Sequence, residues 1–213
     1  MAVERFKILP RRVDRRDARL FVVACEGEKT EKIYLDSFAF ERVVVKVLDA
    51  GVDGLSDSNQ VLERLREFKN SLDKREEGDE FWLVLDIDHN LEGTHFVNFK
   101  EACRAARQAG FELAISHPCF ELWLILHLQE MDANQSFKPS ELKKMFRALF
   151  ADYENRVAEL NPALPFAIER AESMDFLPAE PWPNTTGTRM SRLMKAILKA
   201  NIRPGRKPLA WME

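Results

Sequence analysis

Phe81-Trp82-Leu83-Val84-Leu85-Asp86-Ile87-Asp88 is the stretch on which the fold turns. Its first five residues are apolar, aromatic or β-branched, the pattern of a strand covered on both faces, and Asp86 ends the run. A similar run, Leu20–Cys25 (LFVVAC), stops at Glu26-Gly27. Arg42–Leu48 (RVVVKVL) and Phe111–Ser116 (FELAIS) read the same way. Between these runs the period changes to that of a helix. Thr30–Phe40 sets Ile33, Tyr34, Phe38 and Ala39 on one stripe. Asp57 or Ser58 can cap a helix carrying Val61, Leu62, Leu65 and Phe68. Thr94–Ala109 is closed by Gly110, and Cys119–Gln129 is entered through Pro118 and is apolar nearly all round. Strands alternating with helices predict an α/β fold with about four mainly parallel strands flanked by helices. Ser140–Leu160 and Thr188–Ala200 are expected as further helices, joined by an extended Pro178–Pro183 linker. The expected organisation is a basic segment over residues 1–19 and one domain over 20–213, with C-terminal helices from about residue 138.

The 213 residues, 46% hydrophobic, suit one globular domain that folds without staples. The longest apolar run, Leu122–Leu128, is broken by His127 and is too short to span a bilayer. The chain opens Met1-Ala2-Val3-Glu4-Arg5 rather than with an apolar signal core, which predicts against secretion. Cys25, Cys103 and Cys119 form no CxxC pair, so they read as reduced core residues of a cytoplasmic protein.

Charge is unevenly placed. Residues 1–19 carry seven basic and three acidic side chains, and residues 189–213 carry seven basic and one acidic. The stretch between is acidic. Carboxylates to hold cations and arginines to hold phosphates is what a metal-using nucleic-acid enzyme requires. Two solvated basic tails fit the same numbers. The candidate backbone contacts are Arg11, Arg12, Arg15 and Arg16 at one end, and Arg189, Arg192, Arg203, Arg206 and Lys207 at the other. Such contacts do not separate DNA from RNA.

In a parallel sheet, ligands bind beyond the carboxyl ends of the strands. Glu26, Asp86 and Asp88 stand there, with Glu121 in the helix after the fourth strand. Asp86 and Asp88, two apart, share one face of an extended segment. Gathered carboxylates repel unless a hard cation joins them, and Mg²⁺ or Mn²⁺ suits an all-oxygen set. A bound ion of that kind can polarise a phosphodiester and activate water. A strand ending in a plain polar turn is the commoner reading of Asp86–Asp88 taken alone, since short acidic motifs discriminate weakly; the placement straight after FWLVL, with Glu26-Gly27 straight after LFVVAC, shifts the balance.

The Lys29-Thr30 pair before a helix is not a phosphate loop, because Glu28 and Val23 stand where that motif needs glycines. Lys29 fits either a point charge for phosphate or a solvated first-turn residue. His89, beside Asp88, is placed to carry a proton near neutral pH. His117 fits a helix-entry residue or a phosphate contact. His127 reads as a buried, hydrogen-bonded histidine, and Trp82 and Trp123 as core. No zinc pattern occurs.

Taken together, an apolar strand ending Glu-Gly, Thr-Glu opening a helix and a later strand ending Asp-x-Asp resemble the Toprim fold. CEGEKTEKIYLDSF, FWLVLDIDHN and SHPCFELWLILH resemble the RloB-like (AbiLii-like) family, most specifically at PCFELWLILH. Asn184-Thr185-Thr186-Gly187-Thr188 looks like a degenerate form of that family's threonine-rich motif. The resemblance implies that Glu26 is general acid/base or metal ligand, that Asp86 and Asp88 are the metal pair, and that Glu31 and Glu121 are further ligands. A third aspartate of topoisomerase-type motifs is missing, with Asn90 and Glu92 nearby, which leaves one or two metals open.

The resemblance implies a Mg²⁺- or Mn²⁺-dependent nuclease with an antiviral, abortive-infection or restriction-associated role. It also implies an ATPase partner encoded nearby (RloA/AbiLi-like), since this chain has no phosphate loop. Self-association is left open. The alternatives are a non-catalytic Toprim-like scaffold that binds the ATPase or DNA, and a primase-like transferase, for which no nucleotide-selecting pattern is found.

Overall fold

The structure, a computed structural model, describes residues 18–27, 29–49, 57–72, 76, 78–87, 94–203 and 205–207. Asp88, His89, Arg11, Arg12, Arg15 and Arg16 lie outside the described residues.

The N-terminal elements are β1 (Arg19–Cys25), α1 (Thr30–Asp36), β2 (Val43–Leu48), α2 (Ser58–Ser71), β3 (Glu80–Asp86), α3 (Thr94–Gln108), β4 (Glu112–His117) and α4 (Glu121–Leu128). They continue as α5 (Pro139–Leu149), α6 (Tyr153–Arg156), a 3₁₀ segment Val157–Ala163, α7 (Leu164–Met174), β5 (Gly187–Thr188) and α8 (Met190–Asn201). Among the described residues the strands form one five-stranded sheet in the order β2-β1-β3-β4-β5. The first four are parallel, and β5 joins antiparallel to β4 through Ser116↔Thr188 and His117↔Gly187.

Burial explains the apolar runs. Alternate residues of the central strands enter separate cores. Phe21, Val23, Cys25, Trp82 and Val84 face α1, α4, α5, α7 and α8, whereas Val22, Ala24, Phe81, Leu83 and Leu85 face α2 and α3. Each Val, Leu or Phe side chain so buried is worth about 1.5–3 kcal/mol. Helix α4 lies inside the larger core with Leu122 to Leu126 at 0% exposure, which is why its sequence shows no polar face. Asp57 caps α2 by accepting the Asn59 N–H at 3.3 Å, and Gly110, at φ +72°, closes α3 in the left-handed conformation.

The elements differ from expectation in four places. The fifth strand, β5, is too short to show a period in sequence, and it is held by Ser116 Oγ and Thr188 Oγ1 at 2.8 Å. Ser140–Leu160 is not one helix: α5 ends at Leu149, Asp152 takes a left-handed φ of +56°, and a short α6 and the 3₁₀ segment follow. Helix α7 was not anticipated. The Pro178–Pro183 stretch is a series of turns and bends rather than extended chain, and Arg189 ties it down.

Candidate functional site

The carboxyl ends of β1 and β3 are adjacent because these strands pair in parallel with Cys25 opposite Val84. The Glu26 N–H donates to Val84 O at 3.1 Å, extending the ladder by one bond. The next rung comes from a side chain: the Asp86 N–H donates to Glu26 Oε2 at 3.2 Å. Glu26 and Asp86 are thereby joined.

Helix α1 begins at Thr30, three residues after Gly27, and carries Glu31 in its first turn, with only 4% of the residue exposed. A Cβ at Gly27 would overlap both carboxylate oxygens of Glu31, so any side chain there displaces that carboxylate. On the other side of the sheet edge, β4 feeds α4, whose first turn holds Glu121.

The four acids act on one another. Burial first, then the charges of Glu31 and Glu26, push the Asp86 carboxyl well above its usual range; the Phe120 main-chain hydrogen bond opposes this and Glu121 adds to it. Burial likewise raises Glu31, with Glu121 contributing, against main-chain hydrogen bonds at Glu31 and Gly27 and the charge of Lys143. Among the described residues, Glu31 Oε2 and Asp86 Oδ1 are buried without a hydrogen-bond partner. Buried acceptors are normally satisfied, so two orphans in one acidic cluster would be relieved by a proton, a water or a cation. The nearby Arg64 guanidinium does not relieve them, being spent on the carbonyls of Cys25 and Asp49, each at 2.8 Å. Among the described residues, no three His, Cys, Asp or Glu side chains converge tightly enough to hold an ion as they stand.

The other candidates fall in varied places. Lys29 lies at the solvent side of α1, its Nζ 2.6 Å from Glu154 Oε1. Such an exposed pair is worth no more than about 1 kcal/mol and releases its lysine easily. His117 Nδ1 lies 3.3 Å from Pro183 O. His127 is buried between Tyr34 Oη at 3.0 Å and Trp123 O at 2.9 Å, and burial lowers its pKa to about 4. Trp82 and Trp123 are core, and all three cysteines are free and buried.

Arg189 is a correction. It is 1% exposed and grips Asp175 through Nε at 3.0 Å and Nη2 at 2.9 Å, and it also donates to the carbonyls of Leu177 and Glu180. A guanidinium so enclosed is a structural tie and cannot reach a phosphate. Arg192 shares Asp175 at 3.1 Å, and Arg203 pairs with Glu41 at 2.7 Å. Arg206 and Lys207 are exposed.

Sequence reading missed a cleft of about 370 Å³ beside Glu121, lined also by Thr30, Lys143, Phe146, Arg147 and Tyr153. The signal was present as Lys143 and Arg147 four apart on an amphipathic helix, but only the fold brings that face to α1 and α4.

No helix among the described residues is long and apolar enough to cross a membrane. No curated protein and no solved structure matches the chain. A family model described as RloB-like protein matches residues 21–197, which takes in all four carboxylates and every helix from α1 to α7. Sheet, carboxylate edge and C-terminal helices all lie within or against that matched stretch, and this chain belongs to the RloB-like protein family.

Proposed function

We propose that this chain is a divalent-metal-dependent phosphodiesterase acting on nucleic acid, with a Toprim-like centre at Glu26 and Asp86. The observation that carries the reading is the pair of buried carboxylate oxygens, Glu31 Oε2 and Asp86 Oδ1, unpartnered among the described residues, in a cluster where Glu31, Glu26 and Glu121 raise the Asp86 pKa and Glu121 raises that of Glu31. The donors are all hard oxygens, which fits Mg²⁺ or Mn²⁺ and not zinc. Asp86 and Glu26 are the first candidates to hold the ion, with Glu31 and Glu121 in support and Asp88 contributing from beyond the described residues. When bound, such an ion polarises a phosphodiester and acidifies water.

The chain's own contributions are more specific. The Glu26–Asp86 hydrogen bond fixes one carboxylate against the strand carrying the other. The start of α4 directs a main-chain N–H at Asp86 and so orients its carboxylate. Lys29, released from Glu154, can neutralise a phosphate next to the scissile one. His89 is the proposed proton carrier. Membership of the RloB-like family supports an anti-phage or restriction-associated role beside a nearby-encoded ATPase. Arg192, Arg203, Arg206 and Lys207, with the N-terminal arginines, are the proposed backbone contacts.

The test is cleavage of plasmid DNA and structured RNA in Mn²⁺ or Mg²⁺, with and without the ATPase. Asp86→Ala and Glu26→Ala are each expected to abolish it while leaving the fold intact. Unchanged cleavage in both variants would defeat the reading. The absence of a ready three-ligand set among the described residues favours a second reading, a non-catalytic module for the ATPase or DNA. Calorimetric titration with Mn²⁺ separates the two, because a module need not bind metal at this edge.

A further inference from the structure

The cleft beside the carboxylates has a chemical character of its own. Its apolar wall is the half-buried Tyr153 backed by Phe146 and Phe150, which are only 5% and 7% exposed; the Tyr153 ring meets Phe146 edge-on at a centroid separation of 5.4 Å. The Tyr153 hydroxyl donates to Thr30 O at 2.9 Å and so pins this wall to the first turn of α1, one residue before Glu31. Lys143 and Arg147 stand exposed at the rim, and neither is ion-paired among the described residues, although carboxylates are plentiful in this part of the chain. Glu121 joins the cleft to the acidic cluster, and Lys143 is close enough to lower the pKa of Glu31.

An aromatic wall under two uncommitted cations is how proteins hold an unpaired nucleotide: the wall takes the base and the cations take the backbone. At about 370 Å³ the space is near the lower limit for ligand pockets and admits one nucleotide unit, not paired strands.

We propose that this cleft is the substrate subsite, that it takes an unpaired nucleotide next to the scissile phosphate, and that the substrate is therefore single-stranded or locally unpaired. Lys143 and Arg147 hold the phosphates of that nucleotide and direct the strand across Glu121 to Asp86. This rests on the carboxylate cluster being the reaction centre, but binding can be measured apart from cleavage.

The experiment is fluorescence anisotropy in EDTA with labelled single-stranded oligothymidylate and oligouridylate, each also annealed to its complement. The proteins are wild type, Asp86→Ala and the double variant Lys143→Ala/Arg147→Ala. Wild type and Asp86→Ala are expected to bind at least one single strand about tenfold more tightly than its duplex. The double variant should lose that preference and about 1.4 of the slope of log affinity against log salt, as two lost single-strand phosphate contacts require. Duplex binding equal to or tighter than both single strands, or a double variant that binds like wild type, would overturn the subsite. A protein that shows this binding pattern but cleaves nothing in Mn²⁺ supports the subsite and counts against the phosphodiesterase reading. Both cations are exposed, so their loss leaves the fold unchanged.

Discussion

The Asp86 main-chain N–H donates to Glu26 Oε2 at 3.2 Å, so the side chain ending one central strand is bonded to the backbone ending its neighbour. The bond spans 60 residues of chain and sets the two acids at a fixed separation without any contribution from a loop. A site built this way is as rigid as the β1–β3 pairing beneath it.

Gly27 is predicted to be a sensitive position for activity. In Gly27→Ala the new methyl group displaces the Glu31 carboxylate, whose oxygens occupy that space. Metal-dependent cleavage should fall at least tenfold, and Glu31→Ala should cost little further in the Gly27→Ala background, because both changes remove the same group. Equal additive losses in a double-mutant cycle would contradict this.

Stability should fall on the alkaline side when no metal is present. Asp86 and Glu31 have raised pKa values in the folded chain, so the folded state holds protons that the unfolded state has already released. Their contribution is complete below the ordinary carboxylate range and is lost as pH rises through the folded values. Thermal melts in EDTA should show this slope, Asp86→Asn should flatten it, and Mn²⁺ should restore stability increasingly as pH rises.

His127 acts in the opposite sense. Its folded pKa is lowered to about 4 by burial, so its contribution is present above the usual histidine value of about 6.5 and is lost as pH falls through about 4. The full effect is about 3 kcal/mol at one pKa unit per 1.36 kcal/mol. His127→Leu should remove this acid limb yet cost about 1–3 kcal/mol at neutral pH, since Tyr34 Oη loses its partner. Urea denaturation from pH 4 to 8 reads both effects.

Arg189→Ala should destabilise by about 3 kcal/mol, because it deletes the buried half of the pair and leaves partly buried Asp175 with Arg192 alone. Arg189→Lys should recover little, because one ammonium cannot match the two-pronged contact with Asp175 and the two carbonyls. Salt dependence of nucleic-acid binding should be unchanged in any folded Arg189 variant, whereas Lys143→Ala/Arg147→Ala should reduce it with no change in denaturation midpoint.

Much of the scaffold was legible because burial on both faces leaves a local imprint. LFVVAC and FWLVL are apolar at every position since alternate residues enter different cores, and Glu26 and Asp86 end those runs where the strands reach the sheet edge. The same logic marked His127, Trp123 and the cysteines as interior. The chain order around residues 150–190 was not legible. The left-handed turn at Asp152 has no glycine to announce it, and a two-residue β5 has no period.

Periodicity and apolar runs are properties of neighbours along the chain, so residue order alone says which side chains are buried and where each strand stops. Which charges meet depends on the folded arrangement. Glu31 and Glu121 come together across 90 residues, Arg189 is enclosed by Asp175, and Lys143 and Arg147 are left open beside the acids. Coulomb and desolvation energies depend on distance and burial in space, and a one-dimensional pattern carries neither.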